Sequence, residues 1–212
     1  MSARIQILDY GMGNLRSVEK AFERVGATVV RDADPELLAS ADGVVVPGVG
    51  AFAEAMRRIR AAGLDAALRA RAAAGGPILG ICLGYQLLFE RSDEGAGAEG
   101  LGLIDGDVRR LRAPGLKVPH MGWEPVRFER ESALMAGLAD TTPFYFVHSY
   151  VPVPTDRSVI VASALHGERF ACAVSDGPVS GVQFHPEKSS AAGLRLLGRF
   201  TERCGALAAG AV

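Results

Sequence analysis

The sequence predicts an α/β protein: a mixed, mostly parallel central sheet flanked by helices, with a strand-rich second half. Three observations predict it. From Arg4 to Glu90, short apolar runs alternate with stretches of helical periodicity, the arrangement that builds parallel βαβ units. Gly43-Val44-Val45-Val46 is apolar without a break, as strands buried on both faces are. Beyond Glu90 the helical pattern gives way to a succession of short strand patterns.

Taken in order, Arg4 to Asp9 reads as the first strand, followed by a tight turn over Tyr10 to Asn14. A helix comes next, with Leu15, Val18, Ala21, Phe22 and Val25 along one face. Gly26 ends it before a second strand, Ala27 to Val30. Gly11-x-Gly13 lacks the third glycine of a dinucleotide fingerprint, Arg16 standing in its place, so a tight turn with an interaction role is the better reading. The strand Gly43 to Val46 empties into Pro47-Gly48-Val49-Gly50-Ala51-Phe52, and one long helix is expected after it, with Ala55, Ile59 and Leu68 inward. Another apolar run ends at Cys82, where a helix begins, since Leu83, Gln86, Leu87 and Glu90 fall at helical spacing. The glycine-rich and acidic stretch Ser92 to Gly102 reads as a surface loop. Strands are expected at Asp107 to Leu111, Pro125 to Phe128, Pro143 to Val147, Val159 to Ala164, Phe170 to Ser175 and Val179 to Phe184, with Asp176-Gly177 as a hairpin turn. A last helix is expected from Ser190 to Cys204, with residues 205–212 as a flexible tail. With no repeat and no linker, residues 1–204 read as one domain.

Composition narrows the function classes. The chain of 212 residues is long enough for one sizeable core, and its 49% hydrophobic and 22% charged content is that of a globular protein. A formal net charge of -1 offers nothing to nucleic acid or an anionic membrane. No apolar run approaches the roughly 18 residues of a membrane span, and Asp9 interrupts the first apolar stretch too early for a signal peptide. Three cysteines without a CxxC pair argue against a disulfide framework and for a reducing, cytosolic compartment. The four histidines show no metal-ligand spacing, so neither a metal nor a cofactor is expected.

The chemistry gathers around Gly80-Ile81-Cys82-Leu83-Gly84. This is the nucleophile-elbow pattern with sulfur in place of the serine oxygen. Glycines two residues to either side let the chain turn sharply at a strand end, and the opening of a helix favours thiolate over thiol. A lone buried cysteine is the commoner fate, but the paired glycines and later partners count against it here. A thiolate attacking a carbonyl needs an oriented base and donors for the oxyanion. His185, at the end of an apolar strand, is the candidate base. Pro186 is expected to hold the chain extended, so that Glu187 projects to the same side and fixes the imidazole. The N–H of Leu83 is one candidate oxyanion donor. The loop Gly48-Val49-Gly50 is another, though it reads equally well as a plain strand-to-helix turn.

The combination of Pro47-Gly48-Val49-Gly50, Gly80-Ile81-Cys82-Leu83-Gly84 and His185-Pro186-Glu187 resembles the class I (triad) glutamine amidotransferases, over nearly the whole chain. Five segments narrow the resemblance to the branch that serves histidine biosynthesis: Asp9 to Asn14, Pro47 to Phe52, His120-Met121-Gly122-Trp123, Tyr145 to Tyr150 and Gly181 to Ser189. The resemblance implies hydrolysis of glutamine through a thioester on Cys82, with His185 as base and Glu187 orienting it. It implies that Leu83 and the Val49–Gly50 peptide stabilise the oxyanion, and that Gln86, Ser149 and Tyr150 contact the substrate. It implies a heterodimer in which ammonia passes to a (β/α)8-barrel cyclase subunit that makes imidazole glycerol phosphate and an aminoimidazole carboxamide nucleotide. In the family Asn14, Trp123 and Lys188 lie toward that partner, although a solvated lysine is the plainer reading of Lys188. The competing readings are a subunit of another biosynthetic synthase, a non-catalytic partner-binding subunit, and a cysteine hydrolase of another substrate.

Overall fold

In the computed structural model, which describes residues 2–210, the first part of the chain alternates strand and helix as the periodicity predicts. Its elements are β1 (Arg4–Leu8), α1 (Leu15–Arg24), β2 (Thr28–Asp32), α2 (Pro35–Ser40), β3 (Gly43–Val46), α3 (Phe52–Ala61), α4 (Leu64–Ala73), β4 (Ile78–Ile81) and α5 (Leu83–Leu87). Strands then dominate: β5 (Arg91–Ser92), β6 (Ala98–Glu99), β7 (Gly106–Arg110), β8 (His120–Pro125), β9 (Arg127–Phe128), β10 (Pro143–His148), β11 (Tyr150–Pro154), β12 (Ile160–His166), β13 (Glu168–Asp176) and β14 (Val179–Val182). The long helix α6 (Ser190–Gly210) follows.

Eight strands form the central sheet in the order β2-β1-β3-β4-β14-β13-β12-β9. The pairs from β2 through β14 are parallel, and those from β14 to β9 are antiparallel. Two smaller sheets lie beside it, one of β10 with β8, the other in the order β11-β7-β5-β6. Alternate residues of the central strands serve opposite cores, which is why these strands read as continuous apolar runs. Ile5, Ile7, Val45 and Leu79 pack on one face with Phe22 of α1 and Phe200 of α6. Leu8, Val44, Val46 and Ile78 pack on the other with Leu38 of α2, Ile59 of α3 and Leu68 of α4. Among the described residues, no helix is long and apolar enough to cross a membrane.

Several expectations need correction. The single long helix after Phe52 is two helices, α3 and α4, because Gly63 takes a left-handed conformation (φ 69°) that starts a new helix direction. Residues 31–42, left unassigned by periodicity, contain α2, which Asp34 caps through the Glu36 N–H with Pro35 in the first turn. Short strands β5 and β6 lie within the expected loop after Glu90. Strands β8 and β11 were not anticipated. Pro152 and Pro154 weaken the strand pattern of β11, and they fit because it is the edge strand of its sheet. The expected tail from residue 205 is helix as far as Gly210, in keeping with its alanines and with the burial of Cys204 and the closeness of Gly205 to Ala3. Residues 211–212 lie outside the described ones.

The glycines around Cys82 are required by close packing of backbone. A Cβ on Gly80 would lie 2.7 Å from the Gly84 carbonyl oxygen and 2.8 Å from the Tyr85 amide. A Cβ on Gly84 would fall inside the van der Waals shell of the Val46 carbonyl oxygen. Neither obstacle is a flexible side-chain end. Gly84→Ala is therefore expected to lower the unfolding free energy by about 3 kcal/mol. Urea denaturation measures the loss, and an unchanged midpoint would show that the β3–α5 contact gives way freely.

Candidate active site

Cys82 follows β4 with φ 56° and ψ −110°, a backbone conformation that costs an L residue about 1–3 kcal/mol and persists only where its surroundings impose it. Its N–H donates to the Val182 carbonyl of adjacent β14 at 2.8 Å. Its carbonyl accepts from the amides of Tyr85 and Gln86 at 3.1 and 3.2 Å. The thiol is thereby lifted off the sheet end beside Leu83, the first residue of α5, where helical N–H groups have no partner within the helix.

His185 lies past the carboxyl end of β14, the parallel neighbour of β4, so both groups stand at the same edge of the sheet. Its Nδ1 is 2.8 Å from Glu187 Oε1, and both side chains are buried. The expected geometry of this pair is wrong even though the pair forms. Strand β14 stops at Val182, and Pro186 to Lys188 make a 3-10 turn instead of extended chain. Proline's fixed φ and missing N–H suit the first position of a helical turn as well as they suit a strand end. Carboxylate acceptance at Nδ1 places the ring proton there and leaves Nε2, which is buried and has no hydrogen-bond partner among the described residues, to handle a proton. Burial pushes His185 down, but the nearby Cys82 sulfur and the Glu187 carboxylate together outweigh it and lift the imidazole to about 10. The site therefore favours imidazolium whenever Cys82 is a thiolate.

The Pro47–Gly50 loop rides on this elbow. A Cβ on Gly48 would lie 3.0 Å from Leu83 Cβ and 3.1 Å from the Gly84 amide. Beneath it the buried Tyr10 hydroxyl donates to the Pro47 carbonyl, and burial first, then the neighbouring Cys82, keeps that phenol protonated. Val49 and Gly50 are exposed, Gly50 at φ 102°. On the opposite side, the Val147 carbonyl is 3.8 Å from Cys82 Sγ, so the β10–β11 corner carrying Ser149 and Tyr150 borders the thiol. Gln86 Nε2 is held by the Tyr150 carbonyl at 2.9 Å and by Gln183 Oε1 at 3.1 Å. Cys82, His185, Glu187, the loop, Leu83, Gln86 and the Ser149–Tyr150 corner are thus brought together.

The sequence model of the class-I glutamine amidotransferases matches residues 6–203. The chain belongs to this family. Its amidotransferase fold is also that of a crystal structure described as glutamine amidotransferase (TM-score 0.76, 24% identity, 95% of this chain and 98% of the other). The same likeness extends to a protein described as PurLQS, from Thermotoga maritima (TM-score 0.73, 18% identity, 98% and 100%). Among curated proteins, the amidotransferase is similar to imidazole glycerol phosphate synthase subunit HisH from Moorella thermoacetica, 52% identical over 93% of this chain and 94% of the relative. The protein of that name from Thermobifida fusca is 48% identical over 93% and 97%.

The three residues expected at an interface fall on the surface of the amidotransferase. Trp123 is 51% exposed and meets Tyr145 edge-on across the β8–β10 pair, with ring centroids 6.0 Å apart. Lys188 Nζ stands 5.9 Å from the centre of the same Tyr145 ring. Asn14 is exposed at the start of α1 and makes no side-chain capping bond; the preceding Gly13 packs near Gly48. Sequence reasoning missed two residues. Ser189 Oγ accepts from the Tyr145 N–H at 3.0 Å and donates to the His185 carbonyl at 2.7 Å, tying His185 to β10. Gln183 is a fully buried amide inside an apolar run, and that polarity was the available signal. The other thiols, Cys172 and Cys204, are fully buried, and burial pushes Cys204 up to about 12.

A folded-state value near 10 lies above the roughly 6.5 of free histidine, so the sign of the linkage is set. The His185 contribution to stability is complete below that free value and is lost as pH rises through about 10. In Glu187→Gln the imidazole is expected to titrate below the wild-type value, and unfolding free energy to fall less across this window. Ring-nitrogen NMR titration with denaturation at each pH measures both, and identical titrations would remove Glu187 as a cause.

Proposed function

We propose that this amidotransferase is the glutaminase subunit of imidazole glycerol phosphate synthase, acting in histidine biosynthesis as a heterodimer with a (β/α)8-barrel cyclase subunit. The observation that carries the reading is the buried His185–Glu187 pair beside Cys82 at the ends of adjacent parallel strands, in a chain whose relatives bear that subunit's name. A reducing cytoplasm suits a protein with three free cysteines and an unblocked thiol.

The geometry supports the following chemistry. His185 Nε2 takes the Cys82 proton while Glu187 holds the opposite ring nitrogen, and the sulfur attacks the side-chain amide carbon of glutamine. Charge develops on the amide oxygen, which the Leu83 N–H and the Val49–Gly50 peptide receive. His185 then protonates the nitrogen, the C–N bond breaks, and ammonia leaves a γ-glutamyl thioester. Water enters, loses its proton to His185 and attacks the same carbon. The C–S bond breaks, glutamate departs and the thiol is restored. Gln86, its nitrogen already engaged, offers Oε1 to the substrate, and Ser149 and Tyr150 hold the amino-acid head. Ammonia in water is largely protonated and inert as a nucleophile, so it passes directly to the cyclase. Asn14, Trp123 and Lys188 face that partner.

Glutamate release is to be measured for the chain alone, with the cyclase subunit, and with cyclase plus its nucleotide ligand. The expected outcome is strong release only in the last mixture, and none above background for Cys82→Ala. No release in any mixture would overturn the reading in favour of a non-catalytic binding subunit. Trp123→Ala is expected to weaken cyclase binding by about 2 kcal/mol, the loss typical of a central aromatic anchor. Calorimetric titration measures it, and an unchanged affinity would place the interface elsewhere.

A further inference from the structure

We propose that Gln183 is a further catalytic residue, a buried amide that donates an N–H to the Cys82 sulfur and favours its thiolate. The inference rests on the reading of Cys82 as the nucleophile. Backbone register puts the two residues side by side. Ile81 pairs with Val182 across β4 and β14, and Cys82 and Gln183 come next on the two chains. The Cys82 N–H donates to the Val182 carbonyl and the Gln183 N–H to the Cys172 carbonyl, both at 2.8 Å, so neither backbone is free to shift. The Gln183 side chain is completely buried between apolar neighbours, Val182 and Phe184, where an unpaired amide would be costly.

Which end of the Gln183 amide faces the sulfur is dictated by its partners. The Tyr150 carbonyl can only accept, so the Gln86 atom 2.9 Å from it is Nε2. That same nitrogen lies 3.1 Å from the Gln183 amide, which must therefore turn its oxygen toward Gln86. The remaining end, Nε2 with its two hydrogens, is left at 4.0 Å from Cys82 Sγ. The reversed amide would set two NH2 groups against each other in a buried site. Tyr150 is itself held on the far side, for its carbonyl also lies 3.0 Å from His148 Nδ1. His148 is pushed down to about 3, by burial first and then by His120, so it stays neutral and Nδ1 is its protonated nitrogen. Its Nε2 in turn accepts from His120 Nδ1 at 3.1 Å. A one-directional chain of hydrogen bonds thus runs from the histidine pair to Tyr150, and a second from Gln86 through Gln183 to the sulfur.

A neutral amide suits this place. It favours the charged sulfur over the thiol or the thioester, yet neither takes up nor releases a proton, so it leaves proton transfer to His185. At 4.0 Å the contact is at the outer reach of sulfur hydrogen bonding, and its effect is sized accordingly.

The test is the pH dependence of iodoacetamide alkylation of the full chain, with Cys82→Ala defining the background from Cys172 and Cys204. Gln183→Met keeps the volume and removes the donor. Its alkylation midpoint is expected to rise by about half a unit to one unit, slowing modification below the midpoint about three- to tenfold. With cyclase and nucleotide ligand, kcat for glutamate release should fall by a comparable factor, with KM for glutamine within about twofold of wild type. An unchanged midpoint in folded Gln183→Met overturns the inference, because a purely structural role moves activity and leaves the thiol's titration alone. Should circular dichroism show Gln183→Met unfolded, Gln183→Leu, which is likewise neutral and without a donor, is read by the same criterion. An active wild type with an unmoved Gln183→Met midpoint overturns the role of Gln183 alone. An inactive wild type overturns the glutaminase reading and the inference with it.

Discussion

Cys82 keeps a backbone conformation that L residues rarely adopt, and much of the molecule is arranged to hold it there. The strain, about 1–3 kcal/mol by the usual cost of such conformations, is opposed by three backbone hydrogen bonds, one across to β14 and two from the start of α5. The first exists only if β4 and β14 are adjacent and in register, and α5 can start where the other two form only because Gly80 and Gly84 admit backbone to within contact distance. The thiol is therefore positioned by the middle of a parallel sheet covered and close-packed on both faces.

The two halves of the chain contribute differently to the site. The alternating half supplies Cys82, the amide of Leu83 and the Pro47–Gly50 loop, all at strand ends, as parallel sheets place their reactive groups. The strand-rich half supplies a wall. Strand β10 engages the histidine turn through its backbone: Tyr145 bonds to both His185 and Ser189, and Val147 approaches the sulfur. Tyr145 also carries Trp123 and Lys188 on its ring, so one residue touches the exposed aromatic surface with its side chain and the histidine turn with its main chain. No long path is needed between that surface and His185.

Fold class was legible because the two periodicities are unmixed: Val44 to Val46 cannot be read as amphipathic, and Leu15, Val18 and Phe22 cannot be read as a strand. The elements that escaped are those whose local signals conflict. Gly63 breaks a run otherwise helical on both sides, and β11 carries two prolines that only an edge position tolerates. The site divides the same way. Cys82, His185 and Glu187 sit in short motifs whose residue types point to the chemistry proposed for them. Gln183 and Ser189 work through partners 97 and 44 positions distant, at Gln86 and Tyr145, and no local pattern announces such pairings. The His185–Glu187 contact was expected on a strand and occurs on a 3-10 turn, because spacing alone does not reveal which of proline's two compatible geometries the chain takes.

Strand order carries a consequence for biosynthesis. Strand β14 occupies the slot between β4 and β13, yet it leaves the ribosome far later than β4 and immediately before α6. Until it arrives, the nascent sheet stops at β4 with a row of unpaired backbone groups, the kind of edge that recruits other chains. The same late insertion brings His185 and Glu187, and it completes the hydrogen bond that holds the elbow. A chain still in synthesis thus carries Cys82 without the His185–Glu187 pair, and assembly of the sheet and completion of this cluster are one event.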